Sequence, residues 1–207
     1  MSLTIAAKAP LAGHVKTRLA GAIGTDAAVL LYQAFLADLA ARFPSAAWYV
    51  DPLGAWRAAY PSTRAFAQPP GDWTERQRAF FRDAAGRGEE RAVLIASDSP
   101  QIREEAVEEA FALLDRHELV LGPVPDGGYY LIGMRGWHDV LAGLAMSTST
   151  VCDEIVRAAR SRRLRVGLLE PTYDVDELAD LALLEADDAE MPATRAALAA
   201  LRTAVPA

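Results

Sequence analysis

Along the chain, short apolar runs closed by turn residues alternate with stretches in which apolar residues recur every three or four positions. "LTIAA" (3–7), "AAWYVD" (46–51), "TRAFAQ" (63–68), "AVLIA" (92–96), "ELVLGPV" (118–124), "YYLIGM" (129–134) and "RVGLLE" (165–170) have strand length and composition. "AVLIA" is the most apolar of them and is expected at the centre of the sheet, buried on both faces. Between the strands the spacing predicts helices. In "TDAAVLLYQAFLADLAARF" (25–43) it places Val29, Leu30, Phe35, Leu36 and Leu39 on one face, with Thr25 as N-cap. A short helix is expected near "GAWRAAY" (54–60), and a longer one within 69–88, opened by a rigid Pro-Pro-Gly turn and ended by glycines. "SPQIREEAVEEAFALLD" (99–115) reads as a helix with Pro100 in its first turn, where the missing N–H costs nothing. "STVCDEIVRAARSRR" (149–163) is a further helix, and the Ala/Leu-rich tail from Asp176 is largely helical.

That alternation is the mark of a wound α/β sheet. At 207 residues, with no internal repeat and no linker-like stretch, one domain spanning 1–207 is expected. Composition narrows the function. Hydrophobic residues make up 52% and charged residues 24%, far from a disordered chain. The formal charge of −7 repels polyanions, and the densest basic run, Arg157 to Arg165, falls at a helix end where cations offset the dipole. Nucleic acid is therefore not an expected partner. No apolar stretch approaches the length of a membrane span, and "LTIAA" reads as a strand and not a leader. Cys152 is alone, so no disulfide framework or thiolate metal site is expected, and a reducing, cytoplasmic location fits. Apolar residues on the terminal helices leave room for a homodimer.

Four polar stretches fall at the carboxyl ends of strands, where ligands bind in such sheets. The first is "KAPLAGHVKTR" (8–18), which gathers Lys8, His14, Lys16 and Arg18 in an otherwise acidic chain. It lacks the glycines of a Walker loop or a dinucleotide fingerprint. What remains is a strand-to-helix loop whose cations and backbone N–H groups suit a di- or triphosphate; Pro10, Gly13 and Thr17 complete that expected nucleotide-binding stretch. In "SDSP" (97–100), Asp98 follows the central strand directly. It is either the N-cap of a helix beginning at Pro100 or a ligand for Mg²⁺ or Mn²⁺, which needs only one or two carboxylates beside phosphate and water. Asp174 and Asp176 of "YDVDE" (173–177), two apart in an extended segment, face one side and are candidates to complete that site; Asp176 also reads as an N-cap. "PDGGYY" (125–130) carries a hairpin signal. Its second glycine, Gly128, suggests backbone pressed against a ligand, and Asp126 is free to accept from hydroxyls. Tyr129, Tyr130 and Trp73 either stack on a base or sugar or belong to the core.

Taken in order, "KAPLAGHVKTRLA", "SDSPQI", "GPVPDGGYYLIG" and "DVDEL" resemble an uncharacterised family of glycosyltransferases of the arsenosugar-biosynthesis type, within the nucleotide-diphospho-sugar transferase superfamily. More distantly the chain is similar to 2-phospholactate guanylyltransferase and molybdenum-cofactor guanylyltransferase. The resemblance spans nearly the whole chain and implies a three-layer α/β/α sandwich of the glycosyltransferase A type, with a mixed, mostly parallel sheet. It also implies that Lys8, Lys16 and Arg18 hold phosphates, that Asp98 binds metal with Asp174 and Asp176, and that Asp126, Gly127 and Gly128 line the sugar or acceptor pocket. Two departures stand out: the family's segment after the last acid pair is shortened here to "ELADL", and Ala96-Ser97 replaces the glycine that often precedes the Asp-x-Pro step. The expected activity is transfer of a sugar from a nucleotide sugar to a small acceptor. The alternatives are nucleotidyl transfer from a nucleoside triphosphate with release of pyrophosphate, and a non-catalytic nucleotide-binding module.

Overall fold

The computed structural model describes residues 1–146 and 148–204. The seven predicted strands all form: β1 (Ser2–Lys8), β2 (Ala47–Asp51), β3 (Ala65–Ala67), β4 (Arg91–Ala96), β5 (Leu119–Pro123), β6 (Tyr129–Arg135) and β7 (Val166–Leu168). They join in one sheet of order β3-β2-β1-β4-β6-β5-β7. Every pairing is parallel except those of β6, which runs antiparallel between β4 and β5. The sheet is thus mixed and mostly parallel, and "AVLIA" supplies its central strand β4. Strand alternation sorts the side chains into two cores. Ile5, Ala7, Val93 and Ile95 face one layer of helices, while Ala6, Ala92 and Leu94 face the other with Phe80, Phe81 and Ile155.

The helices are α1 (Thr17–Ile23), α2 (Thr25–Arg42), α3 (Leu53–Ala59), α4 (Trp73–Gly86), α5 (Glu104–Leu113), α6 (Val151–Ser161), α7 (Leu181–Ala186) and α8 (Pro192–Ala204), with a 3-10 turn at Leu178–Asp180. Several expectations need correction. The buried stripe of α2 runs through Ala28, Leu31, Tyr32, Phe35, Leu36 and Leu39, whereas Leu30 is 63% exposed. Leu30 sits five residues before Phe35, about 140° round the helix from it. Thr25 begins α2 but caps nothing, because the N-cap is Gly24 with φ 89°. Pro100 lies outside α5, which starts at Glu104 after an Arg103 N-cap, so Ser99–Ile102 form a turn closed by the Ile102 N–H to the Ser99 carbonyl at 3.2 Å. Neither Asp98 nor Asp176 is a helix cap; the 3-10 turn is capped by Glu177.

Two glycines position the C-terminal half of the sheet. The Tyr130 ring lies across Gly122, where a Cβ would come within 2.4 Å of it, and the register shifts at Gly122/Pro123. This irregularity turns Tyr130 into the core beside Leu131 while Tyr129 points to the other face. Gly127, at φ 92°, brings the hairpin against the segment before α6, where a Cβ would meet the Ser149 carbonyl oxygen at 1.9 Å. Cys152 is buried in α6, and burial raises its thiol above the ordinary range, so it stays protonated and inert.

Candidate functional site

A cleft of about 600 Å³ opens at the carboxyl ends of β1 and β4, within the range of small-molecule sites. Its walls bring together Lys8, Lys16, Thr17, Arg18, Asp98, Asp126, Gly128, Asp174 and Asp176 from segments far apart in sequence. Pro10, Gly13 and Gly127 lie outside its lining, as does Tyr130, which is buried with its hydroxyl donating to the Glu170 carbonyl at 3.2 Å.

The basic loop is less of a loop than its sequence suggests. Its end is already helical, and Lys16 serves as N-cap of α1 in the left-handed region, φ 46°, ψ 44°. Only Lys16 and Arg163 among the described non-glycine residues have positive φ. The turn sends the Lys16 side chain inward, where it is 3% exposed. Its ammonium donates to Asp98 Oδ1 at 2.5 Å, to the Val175 carbonyl at 2.6 Å and to Asp176 Oδ1 at 3.3 Å. Lys8, at the end of β1, and Arg18, on the outer side of α1, remain exposed; Arg18 Nη1 lies 3.7 Å from Asp176 Oδ2.

The acid segment behaves as an extended strand should. Val175 points inward and is fully buried, its N–H donating to the Asp98 carbonyl at 3.1 Å, while Asp174 and Asp176 on either side line the cleft. Asp174 Oδ1 accepts the Ser99 hydroxyl at 2.5 Å. Its carboxyl is pushed up to about 6, first by burial and then by the neighbouring Asp98, against the pull of the Ser99 hydrogen bond and Lys16. Among the described residues no set of three His, Cys, Asp or Glu side chains converges closely enough to hold a metal ion alone. Apart from the Lys16 ammonium, the groups beside Asp98 that could ligate a metal, Asp174 and Asp176, offer only carboxylate oxygens, which suits Mg²⁺ or Mn²⁺ only when phosphate and water complete the shell.

On the facing wall, Asp126 Oδ1 accepts the Gly128 N–H at 2.9 Å, which fixes the hairpin and leaves Oδ2 for a hydroxyl. Tyr129 reaches the cleft, with its hydroxyl held by Gln77 at 2.7–2.9 Å, and Trp73 joins it from the first turn of α4. That turn is fixed by a capping box between Asp72 and Glu75.

Several lining residues escaped the sequence reading. Arg76, one turn after Trp73, donates to Asp51 Oδ2 at 2.9 Å and to Gln68 Oε1 at 2.8 Å. A charged residue spaced three from Trp73 and four from the buried Phe80 was a signal that could have drawn attention to it. Tyr32 spans the floor, its hydroxyl 2.8 Å from Ser97 Oγ and accepting the Lys8 N–H at 3.1 Å. Thr148 and Ser149 also line the cleft; Ser149 reads as the start of a helix over 149–163, but α6 begins only at Val151 and leaves both residues in the segment before it.

A family model described as an uncharacterised protein conserved in bacteria, DUF2064, matches residues 30–148. The solved structure of a candidate nucleotide-diphospho-sugar transferase from Desulfovibrio desulfuricans G20 superposes with a TM-score of 0.85 at 29% identity, covering 97% of each chain. A 4-diphosphocytidyl-2C-methyl-D-erythritol synthase superposes with a TM-score of 0.55 at 14% identity, over 90% of this chain and 98% of the other. A CMP:2-keto-3-deoxy-manno-octonic acid synthetase complexed with CTP gives 0.51 at 14%, over 89% and 96%. The last two share the fold alone. No curated protein matches the chain. The architecture is that of the nucleotide-diphospho-sugar transferases.

Proposed function

The chain belongs to the DUF2064 family, and on that premise we propose that it is a metal-assisted transferase that binds a nucleotide sugar and moves the glycosyl group to a small acceptor. The observation that carries this reading is the division of one cleft into two unlike walls. Lys8, Arg18 and the Lys16–Asp98–Asp176 cluster occupy one side; the Asp126–Gly128 hairpin, Tyr129, Trp73, Thr148 and Ser149 occupy the other. A charged donor and a hydroxyl-bearing acceptor need two such surfaces facing each other.

In this reading the nucleotide lies over the carboxyl ends of β1 and β2, with Lys8 and Arg18 taking its diphosphate. Asp98, and Asp174 or Asp176 beside it, would hold Mg²⁺ or Mn²⁺, which supplies positive charge to the departing diphosphate. Asp126 receives an acceptor hydroxyl through Oδ2, while its Oδ1 stays tied to the Gly128 N–H. The apolar faces of Tyr129 and Trp73 exclude water from the sugar side.

One observation favours nucleotidyl transfer as a second reading. Lys8 and Arg18 are both exposed and line the cleft, and two exposed cations in addition to a metal suit a triphosphate better than a diphosphate. A thermal-shift panel of nucleotide sugars and nucleoside triphosphates, with and without Mg²⁺ or Mn²⁺, tests both. A ligand at about a hundred times its dissociation constant adds roughly 2.7 kcal/mol, a rise of several degrees at this size. Metal-dependent stabilisation by one nucleotide sugar, followed by release of nucleoside diphosphate in the presence of acceptors, is the expected result. Stabilisation by a triphosphate with release of pyrophosphate replaces it with the second reading, and stabilisation indifferent to metal sinks the metal-assisted reading.

A further inference from the structure

The Lys16 ammonium has three N–H donors, and three acceptors take them: Asp98 Oδ1, Asp176 Oδ1 and the Val175 carbonyl. It lies 5.8 Å from the centroid of the Phe35 ring, away from bulk water. The backbone holds it there in a left-handed conformation that disfavours any residue with a Cβ. Asp98 and Asp176, by contrast, are 46% and 50% exposed. The cation therefore meets the two carboxylates from the protein side and leaves them open to the cleft. A lysine whose three donors are all engaged, two of them by carboxylates, cannot also hold a phosphate without first giving up one of them.

We propose that Lys16 is a resident counter-ion that bars a free divalent cation from the acid cluster and yields only when nucleotide phosphates draw its ammonium away, so that metal enters with the nucleotide. This rests on the metal-assisted reading above and adds to it an order of assembly. A divalent cation reaching Asp98 and Asp176 beside a buried ammonium meets like charge where water screens it poorly. Phosphate oxygens give the ammonium new acceptors, which removes that repulsion. By linkage, nucleotide and metal then raise each other's affinity by the same factor. Arg18 does not substitute for Lys16, because it is 70% exposed and 3.7 Å from Asp176. Lys16 thus acts as a positioning residue for the acids, through its charge and not only its packing.

The test is Mn²⁺ binding to the nucleotide-free protein, followed by the electron paramagnetic resonance signal of free Mn²⁺, in the wild type, Lys16→Met, Lys16→Arg and Asp98→Asn. The wild type should show no saturable site below millimolar Mn²⁺. Lys16→Met should gain one about tenfold tighter or more, within the usual range of coupling between sites, and adding Asp98→Asn should remove it again. Lys16→Arg, which keeps the charge, should stay closed like the wild type. A purely structural role for Lys16 predicts no such gain. Equal Mn²⁺ affinity in the wild type and a folded Lys16→Met overturns the proposal, and so does a submillimolar wild-type site that Asp98→Asn abolishes. The second comparison needs no Lys16 variant and decides the matter if Lys16→Met does not fold. Either failure leaves the metal-dependent nucleotide stabilisation of the thermal-shift panel untouched, so the two readings fall separately.

Discussion

On the wall made by β1, β4 and the acid segment, charged groups from distant parts of the chain crowd together around Lys16 and Arg18. On the facing wall the polar groups have neutral partners: Asp126 the Gly128 N–H, the Tyr129 hydroxyl Gln77, and Asp72 and Glu75 each other's backbone N–H. The first wall holds interactions that an anionic ligand competes for. The second holds interactions that a ligand leaves in place. On the proposed assignment, recognition on the nucleotide side would carry a cost of rearrangement, which metal and phosphate together would offset, whereas the acceptor side would be already shaped.

The largest expected effect breaks the first wall. Asp98→Asn should lower activity by about 10²–10³-fold, the usual loss when a group stabilising transition-state charge is removed, and should abolish the metal-dependent part of nucleotide stabilisation. Its carboxylate is half exposed but pairs with the buried Lys16 ammonium, which keeps Asp176 and the Val175 carbonyl, so the unliganded protein should lose no more than about 3 kcal/mol. A variant with full metal-dependent activity would remove the chemical distinction between the walls. Gly127→Ala tests the rigidity of the second wall. A Cβ there meets backbone, not a side chain that can swing aside, and the φ of 92° is unfavourable to alanine. Urea unfolding should show a loss of about 2–4 kcal/mol; a loss under about 0.5 kcal/mol, the ordinary surface range, would mean that the hairpin yields easily.

How much of this was legible in the sequence also differs between the regions. The seven strands were readable because each is a short apolar run bounded by turn residues, and Asp98, Asp126, Asp174 and Asp176 were found because each follows or flanks such a run. Lys16 was found for its charge, but its partner was not foreseeable: nothing local says that a lysine in a basic loop turns inward to acids about 160 residues on. The α2 face was misassigned because Val29, Leu30 and Leu31 are consecutive apolar residues, and only packing decides which of them turns inward. Helix α1 was missed because seven residues carry too little periodic signal. Arg76 and Gln68 reach the cleft through the positions of α4 and β3, which are tertiary facts.

The third effect is a pH dependence. Asp174 has a folded-state pKa of about 6, above its ordinary value, so the folded protein binds the extra proton. The associated stability is fully present below about pH 4 and is lost as the pH rises through 6. Asp174→Asn should therefore exceed the nucleotide-free wild type by about 1–3 kcal/mol at pH 7–8, with the gap closing toward pH 4. Urea titrations across that range check it. Glu118, far from the cleft at the β5 edge, is the internal control. The Arg165 hydrogen bond is the largest cause of its depression to about 2. Its contribution is present above about pH 4.5 and is lost as the pH falls toward 2, the opposite sign. A wild type whose stability is flat between pH 4 and 7 would mean that the first wall carries no uncompensated burial.

The smallest effect separates shape from chemistry on the second wall. Asp126→Ala removes one local hydrogen bond at an exposed turn and should cost about 0.5–1.5 kcal/mol of stability. In steady-state kinetics the KM for the acceptor should rise while that for the nucleotide stays put, because the hairpin is across the cleft from Lys8 and Arg18. Asp126→Asn keeps an oxygen for the Gly128 N–H and so should recover the stability, but it loses the charged acceptor at Oδ2. If Asn restores both stability and acceptor KM, Asp126 only shapes the turn. If it restores stability alone, the carboxylate itself meets the acceptor hydroxyl. A rise in nucleotide KM in either variant would instead place the nucleotide on this wall and reverse the assignment of the two sides.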